Sequence, residues 1–87
     1  MAEPDTTAAV EVEYFAWAAD TVGTERETLQ VAGGKLAGVR AAIVNAHGEA
    51  AVELLEACRF FVDEVLTRDL SRPHGRKVDV LPPFTGG

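Results

Sequence analysis

The sequence predicts a single α+β domain in which a mixed sheet of four to five strands packs on one main helix and a short second helix. Three observations lead to this fold class. The chain has 87 residues, which is enough for one modest hydrophobic core and too few for two. Two segments of alternating hydrophobicity precede a stretch with helical periodicity. Short β-branched and aromatic segments follow, and a helix crossing between early and late strands implies a mixed sheet covered on one face.

The first two strands are predicted to form a hairpin. Residues 10–17 alternate well enough for a strand, and its core-facing residues would be Val10, Val12, Tyr14 and Ala16. Residues 18–26 include Asp and Gly and predict a loop. Residues 27–31 alternate again, with Leu29 and Val31 facing the core.

Two large aromatic residues fall on the acidic face of the first strand. Phe15 and Trp17 alternate with the core-facing residues, on the same side as Glu11 and Glu13. They are either covered by loops or exposed as a patch that binds a partner. We expect loops to cover them, because large aromatic side chains are more often buried than exposed.

Two helices are predicted in the middle of the chain. Residues 35–46 carry apolar side chains at three- and four-residue steps, and these are Leu36, Val39, Ile43 and Ala46. Stop signals for this helix follow at residues 45–48. A second, shorter helix is expected to carry Ala51, Val52, Leu55 and Cys58.

Three short strands complete the predicted sheet. Residues 59–62 are aromatic and β-branched, which is typical of a core strand. The acidic pair at residues 63–64 makes a turn into a short strand over residues 65–67. After a polar loop over residues 68–77, the last strand takes residues 78–81.

The predicted domain spans residues 9–81 and lies between two segments without regular structure. Residues 1–8 are small and polar, and we expect a disordered leader there. Residues 82–87 are expected to form a flexible tail. The sequence contains no recognisable secretory signal and no stretch that approaches a transmembrane span, so we expect a cytoplasmic protein.

Net charge and the reactive side chains disfavour several kinds of function. The formal net charge of −6 disfavours nucleic acid and membrane surfaces as partners. Cys58 is the single cysteine, and we expect a buried thiol there rather than a persulfide carrier. We expect His47 and His74 in solvent-facing loops, and we expect no metal site because neither has a spaced ligand partner.

The tail is the most informative segment of the chain. Its sequence is Pro82-Pro83-Phe84-Thr85-Gly86-Gly87. The two prolines restrict φ and stiffen an extended approach, while the two glycines lack a Cβ and fit a channel too narrow for other residues. Phe84 would be an apolar anchor at the entrance of a partner protein. The expected partner-binding residues are Pro82, Pro83, Phe84 and Thr85.

Several segments together carry a resemblance to a known family. They are residues 12–16 and 27–29, the apolar helix positions, and above all residues 78–87 with their Leu-Pro-Pro-x-x-Gly-Gly ending. The chain resembles the ubiquitin-like sulfur carriers of the β-grasp fold, and in particular the small subunit of molybdopterin synthase. The family usually has an Asn-Gly turn after the third strand, where this chain has Asp63-Glu64. It also usually has an acidic residue before the last strand, where this chain has Arg76-Lys77.

The resemblance implies a carrier that is not itself an enzyme and binds no cofactor. A ubiquitin-activating-like adenylyltransferase would use ATP to adenylate Gly87, and a sulfur donor would convert it to a thiocarboxylate. Gly86 would keep the tail thin inside the partner. The large subunit of molybdopterin synthase would accept the tail and supply the catalytic groups for molybdenum cofactor synthesis.

Two other functions stay open. One is a sulfur carrier for another pathway, such as thiamine, cysteine or a sulfur-containing natural product. The other is a ubiquitin-like protein modifier that forms an isopeptide bond through Gly87. The double proline favours the molybdopterin role, because family members linked to thiamine usually end without it.

Overall fold

Five strands and three helices follow one another along residues 7–83, the part of the chain that the computed structural model describes. The strands are β1 (Thr7–Tyr14), β2 (Arg26–Ala32), β3 (Arg59–Val62), β4 (Val65–Thr67) and β5 (Lys77–Leu81). The helices are α1 (Trp17–Val22), α2 (Leu36–His47) and α3 (Glu49–Ala57). The sheet has the order β2-β1-β5-β3-β4. The β1–β5 pair is parallel and the other neighbouring pairs are antiparallel, so the predicted mixed sheet is confirmed.

One face of the sheet builds the hydrophobic core. Alternate residues of the strands point towards the helices, as the period of two requires, and the buried ones are Val10, Val12, Tyr14, Val31, Phe60, Val62, Val78 and Val80. The helices contribute Ala18, Leu36, Val39, Ile43, Ala51, Leu54 and Leu55. Ala46, predicted on the same helix stripe, is exposed. Within residues 7–83 no helix is long and apolar enough to cross a membrane.

A helix replaces the loop predicted over residues 18–26. The chain leaves β1 at Tyr14 and turns at Ala16, whose φ of 53° is positive, so that α1 begins at Trp17. The helix ends at Gly23, which is left-handed and donates its N–H to the carbonyl oxygen of Ala19 at 2.8 Å. Six residues are too few for helical periodicity to be visible in a sequence, which is why α1 was missed.

The limits of β1 also differ from the prediction. The strand begins at Thr7, two residues before the expected start of order at Ala9. It ends three residues before the expected end at residue 17, and Ala16, predicted to face the core, is exposed. Pairing with β2 extends to Thr7, opposite Ala32, so the ladder of backbone hydrogen bonds sets the start of the strand. Residues 1–6 of the expected leader lie outside the described part of the chain.

The prediction that both histidines face solvent is wrong. His47 is the last residue of α2, and its Nε2 lies 2.6 Å from Oε2 of Glu27. His74 is 6% exposed, its backbone N–H donates to the carbonyl oxygen of Gly34 at 3.2 Å, and its Nδ1 bonds the carbonyl oxygen of Gly75. His74 is buried and His47 is half-buried, because tertiary packing folds their segments against the start of α2 and against the sheet.

The loop after β4 caps the start of α2. The N–H groups of Leu36 and Ala37 donate to the carbonyl oxygens of Arg72 and Leu70 at 2.8 and 2.9 Å. The first N–H groups of a helix have no partner inside the helix, and Lys35 offers no side-chain cap here. The loop thus stabilises the helix and is itself held in place.

Helix α2 crosses β2 at Gly38. A Cβ atom at this position would overlap the carbonyl oxygen of Ala32 and would lie 3.0 Å from Cγ1 of Val31. Glycine therefore permits an approach of helix to strand that a side chain would prevent. This contact positions α2 over the sheet.

Glu27 joins β2 to the ends of β1 and α2 on the core side of the sheet. Its Oε2 accepts a hydrogen bond of 2.6 Å from the hydroxyl of Tyr14 and lies 2.6 Å from His47 Nε2. Burial first, and then the hydrogen bond to the Glu27 carboxylate, raises the pKa of Tyr14 well above its ordinary value. Tyr14 consequently remains a neutral donor to the half-buried Glu27 carboxylate.

Glu64→Gly is expected to raise the free energy of unfolding by about 0.5 to 1 kcal/mol. Asp63 and Glu64 form the two-residue turn between β3 and β4, with φ of 52° and 66°. Positive φ at both central residues is the sign of a type I′ hairpin turn, where glycine carries no Cβ penalty. Chemical denaturation measures the gain, and Glu64→Ala is the control because it removes the carboxylate and keeps the Cβ. An equal gain in both variants would assign the effect to the charge instead of the backbone.

Candidate functional site

The tail leaves the protein from a central strand. β5 lies between β1 and β3, and because β1 and β5 are parallel their carboxyl ends meet at one edge of the sheet. Beyond the last paired residues, the N–H of Phe15 donates to the carbonyl oxygen of Val80 at 3.1 Å. Pro82 is half-buried and Pro83 is exposed. The chain is therefore held by two neighbouring strands up to the point where the tail begins.

The site residues predicted from the sequence all belong to this tail. The structure places Pro82 and Pro83 directly after β5. The other predicted positions lie outside the described residues, and they are Phe84, Thr85, Gly86 and Gly87. Their roles stay predictions.

Two aromatic side chains lie exposed just after β1, and the backbone of the first, Phe15, adjoins the end of β5. Phe15 is 36% exposed and Trp17 is 43% exposed, so the expectation that loops cover them is wrong. The positive φ of Ala16 turns the chain into α1 between them, and Trp17 lines a surface groove with Ala50 and Leu54 of α3. The alternative, an exposed patch that binds a partner, agrees with the structure.

An apolar patch, formed by Phe61, Leu66 and Leu81, occupies the outer face of the sheet, which is the face turned away from the helices. Leu66 lies directly opposite Phe61 and is 48% exposed. Sequence analysis missed Leu66 because a three-residue strand has no readable period. The turn could have revealed it, since a two-residue turn at residues 63–64 pairs Val62 with Val65 and therefore Phe61 with Leu66.

Charged side chains cover the middle of the outer face. Lys77 Nζ lies 2.6 Å from Asp79 Oδ1 and 3.0 Å from Glu13 Oε1, and Arg26 lies 3.8 Å from Glu13. The hydrogen bond from Lys77 lowers the pKa of Glu13, while the hydrogen bond to Asp79 raises the pKa of Lys77. Such exposed pairs add little stability. They divide the face into a charged region over β1 and β5 and an apolar patch towards β3 and β4.

The geometry is suited to presenting a chain end to another protein. The tail starts directly after Leu81 of the apolar patch and close to Phe15, and large apolar groups at a protein surface commonly mark interaction sites. Within residues 7–83 no three His, Cys, Asp or Glu side chains are grouped so that they could hold a metal ion. The chemistry that this arrangement supports is delivery of the tail into a site on a partner.

Cys58 lies between α3 and β3 and is 4% exposed, which confirms the predicted buried thiol. Burial raises the pKa of this thiol to about 11, and the nearby positive charge of Arg68 partly opposes the shift. The thiolate is the nucleophilic form of cysteine. At neutral pH the group is therefore a protonated and weakly reactive thiol.

The free energy of unfolding is expected to fall between pH 9 and pH 11, the interval between the ordinary pKa of cysteine and that of folded Cys58. A pKa that is higher in the folded than in the unfolded state gives stability that is complete below the unfolded value and is lost as pH rises through the folded value. Denaturation at a series of pH values measures the fall. In Cys58→Ala the fall should be smaller, because the variant lacks the titrating thiol. Other groups, such as Tyr14, contribute equally to both proteins. Parallel curves for the two proteins would contradict the assignment.

The sequence profile of the ThiS family matches residues 12–87. The chain belongs to the ThiS family. This match confirms the resemblance to ubiquitin-like sulfur carriers, and it covers β1 from Val12 onward, every other described element and the tail. No curated protein sequence matches the chain.

Solved structures share the fold of this ThiS-family chain. SAMP1, a small archaeal modifier protein from Methanosarcina acetivorans, matches at 17% identity and a TM-score of 0.69, covering 94% of this chain and 99% of its own. SAMP1 from Haloferax volcanii matches at 20% identity and a TM-score of 0.72, covering 92% and 100%. A chain from the complex of subunits 1 and 2 of molybdopterin-converting factor of Helicobacter pylori 26695 matches at 27% identity and a TM-score of 0.62, covering 92% and 100%. The mixed sheet and its helices are thus a β-grasp fold.

Proposed function

We propose that this member of the ThiS family is a sulfur carrier for molybdopterin synthesis and has no catalytic site or bound cofactor of its own. A ubiquitin-activating-like adenylyltransferase uses ATP to adenylate Gly87, and a sulfur donor converts it to a thiocarboxylate. The observation that carries the proposal is the position of the tail, which follows the central strand β5 and begins beside the exposed Phe15 and directly after Leu81 of the apolar patch. The family match, which runs through Gly87, supports the role of the glycines.

The chemistry follows from the poor reactivity of a carboxylate. A terminal carboxyl group has a pKa of roughly 3.3 to 3.7, so it is an anion at neutral pH and resists nucleophilic attack. Adenylation forms a bond between a carboxylate oxygen and the α-phosphorus of ATP and releases pyrophosphate. A sulfur nucleophile then attacks the carbonyl carbon, and AMP leaves. The partner enzymes supply the proton transfers and the stabilisation of the oxyanion.

The proposed receiving partner is the large subunit of a molybdopterin synthase. Support comes from the similar chain of molybdopterin-converting factor, which was solved as a complex of subunits 1 and 2. We place the contact on the apolar patch and on Phe15, because Leu66 and Phe15 are exposed. Leu81 directly precedes the tail, and the backbone of Phe15 bonds to the end of β5. Burying a large apolar side chain at an interface contributes about 1.5 to 3 kcal/mol.

Leu66→Asp is therefore expected to weaken binding of the large subunit by at least about tenfold, as the loss of roughly 1.4 kcal/mol implies. The side chain is 48% exposed, so folding should be little affected. Calorimetry measures the affinity. Thr28→Asp is the matched control, because it adds the same charge to the opposite, polar end of the outer face. Equal affinity of the Leu66 variant and the wild type would remove the apolar patch from the interface.

A carrier for another pathway, or a protein modifier, is the second candidate function. The small archaeal modifier proteins share this fold, and an adenylated Gly87 could equally pass to a sulfur donor or to a lysine amine. Thiamine, cysteine and sulfur-containing natural products are the alternative destinations of the sulfur. The activation step is common to all of these functions.

Intact-mass measurement separates these candidates. The full chain is incubated with ATP, a sulfur donor and each candidate activating enzyme. A mass gain equal to the difference between sulfur and oxygen supports a carrier, and molybdopterin formation with the large subunit then supports the proposed pathway. A lysine-linked adduct supports a modifier. Unchanged mass with every enzyme would overturn both functions.

A further inference from the structure

A small cavity between the helices and the loop after β4 has no part in the proposed transfer. Its volume is about 170 Å³, and its lining residues are Arg40, Leu55, Glu56, Cys58, Phe60, Arg68 and Leu70. A water molecule takes about 30 Å³ in the liquid, so the space matches a ligand of a few heavy atoms. The cavity is too small for a nucleotide.

Two guanidinium groups line this cavity. Arg40 is half-buried on α2 and has, among residues 7–83, neither a side-chain hydrogen bond nor an ion pair. Arg68 donates to the carbonyl oxygen of Glu56 at 2.6 Å, which fixes its position at the end of α3. The carboxylate of Glu56 forms no ion pair with either arginine. Partly burying a cation without a counter-charge is unfavourable. The Glu56 side chain also lines the cavity but is exposed, as Arg68 is, so the half-buried Arg40 is the cation that lacks a counter-charge.

The other walls would strengthen the binding of an anion. Leu55, Phe60 and Leu70 are apolar side chains of the lining, and charge interactions are stronger beside apolar groups than in bulk water. Cys58 is protonated at neutral pH, because burial raises its pKa to about 11, so it does not repel an anion. Arginine offers paired N–H donors that match the oxygens of carboxylate and phosphate groups.

We propose that Arg40 and Arg68 form a binding site for a small oxyanion of the carboxylate, phosphate or thiosulfate type. The site lies near the start of the tail, because Arg59, the neighbour of Cys58, pairs with Leu81 at the end of β5. Two sources of the oxyanion are compatible with this position. One is a free ion from solution, and the other is the terminal carboxylate of the chain itself.

Nuclear magnetic resonance titration of the full chain with phosphate, thiosulfate and acetate at constant ionic strength tests the proposal. Saturable shifts of the Arg40, Cys58 and Arg68 resonances are expected with at least one of the three ions. Arg40→Gln should weaken that binding about tenfold or more, since it removes a charge-assisted hydrogen bond. Arg59→Gln is the matched control, because it removes the same charge one residue from Cys58 without lining the cavity. Its affinity should stay within about twofold of the wild type.

The Gly87 resonance distinguishes the two sources. If the added ion also shifts Gly87, the terminal carboxylate occupies the site and the ion displaces it. If Gly87 is unchanged while the cavity residues shift, the site takes a free oxyanion. The proposal is overturned if none of the three ions gives saturable shifts, or if Arg40→Gln and Arg59→Gln bind with equal affinity. Neither result bears on the adenylation of Gly87, so the proposed function is tested separately.

Discussion

Gly38→Ala is expected to lower the free energy of unfolding by about 3 to 5 kcal/mol. Helix propensity alone predicts the opposite, a gain of up to about 1 kcal/mol, because alanine favours an α-helix over glycine. The new methyl group would overlap the backbone oxygen of Ala32, and backbone cannot move aside as the end of a flexible side chain can. The overlap forces α2 away from β2 and opens the core beneath Leu36 and Val39, which are fully buried.

Chemical denaturation measures the change in the free energy of unfolding. A decrease shows that the overlap with Ala32 outweighs helix propensity, and an increase shows the reverse. Ala41→Ser is the control, because it adds one atom to an exposed position of the same helix. We expect it to change stability by less than about 0.5 kcal/mol. A Gly38→Ala protein as stable as the wild type would show that α2 does not approach β2 as closely as described.

Gly86→Ala and Gly87→Ala are expected to leave the free energy of unfolding unchanged and to reduce sulfur transfer by about 100-fold. Folding is unaffected because the core is complete within residues 7–83. Transfer falls because a Cβ in a narrow channel displaces the reacting carbonyl, and a displacement of about 1 Å can cost about 10²-fold in rate. Both variants keep the terminal carboxylate, so the loss would come from shape and not from a missing functional group.

Two assays locate the defect of these variants. Adenylation is followed by pyrophosphate release with the activating enzyme, and transfer is followed by product formation with the large subunit. Thermal denaturation of each variant confirms that the domain is intact. Full transfer activity of either variant would contradict the proposal that the tail threads through a narrow channel.

Sequence analysis predicted the parts of the fold that depend on periodicity. Val10 and Val12 on β1, and Leu36, Val39 and Ile43 on α2, were placed correctly, because several residues share one face and reinforce the pattern. Helix α1 was missed because its six residues are too few to show helical periodicity. His74 was misplaced because its burial comes from a loop that packs on α2, and local sequence does not report such a contact.

The candidate site, like the fold, was predicted from the sequence only in part. The tail could be recognised because proline and glycine have conformational properties of their own, whatever surrounds them. The apolar patch needed the register of β3 against β4, which places Leu66 beside Phe61. The arginine-lined cavity needed three-dimensional structure, since Arg40 and Arg68 are far apart along the chain and meet through packing.

The central position of β5 has a consequence for how the protein is made. During synthesis β1 and β3 emerge from the ribosome before the strand that joins them, so the sheet cannot close until β5 has emerged as well. Until then, the edges of β1 and β3 that pair with β5 have no partner. Folding is completed in a late step that is dominated by contacts between residues distant in sequence. A newly made chain can therefore present its tail from a finished surface only after the last strand has been inserted.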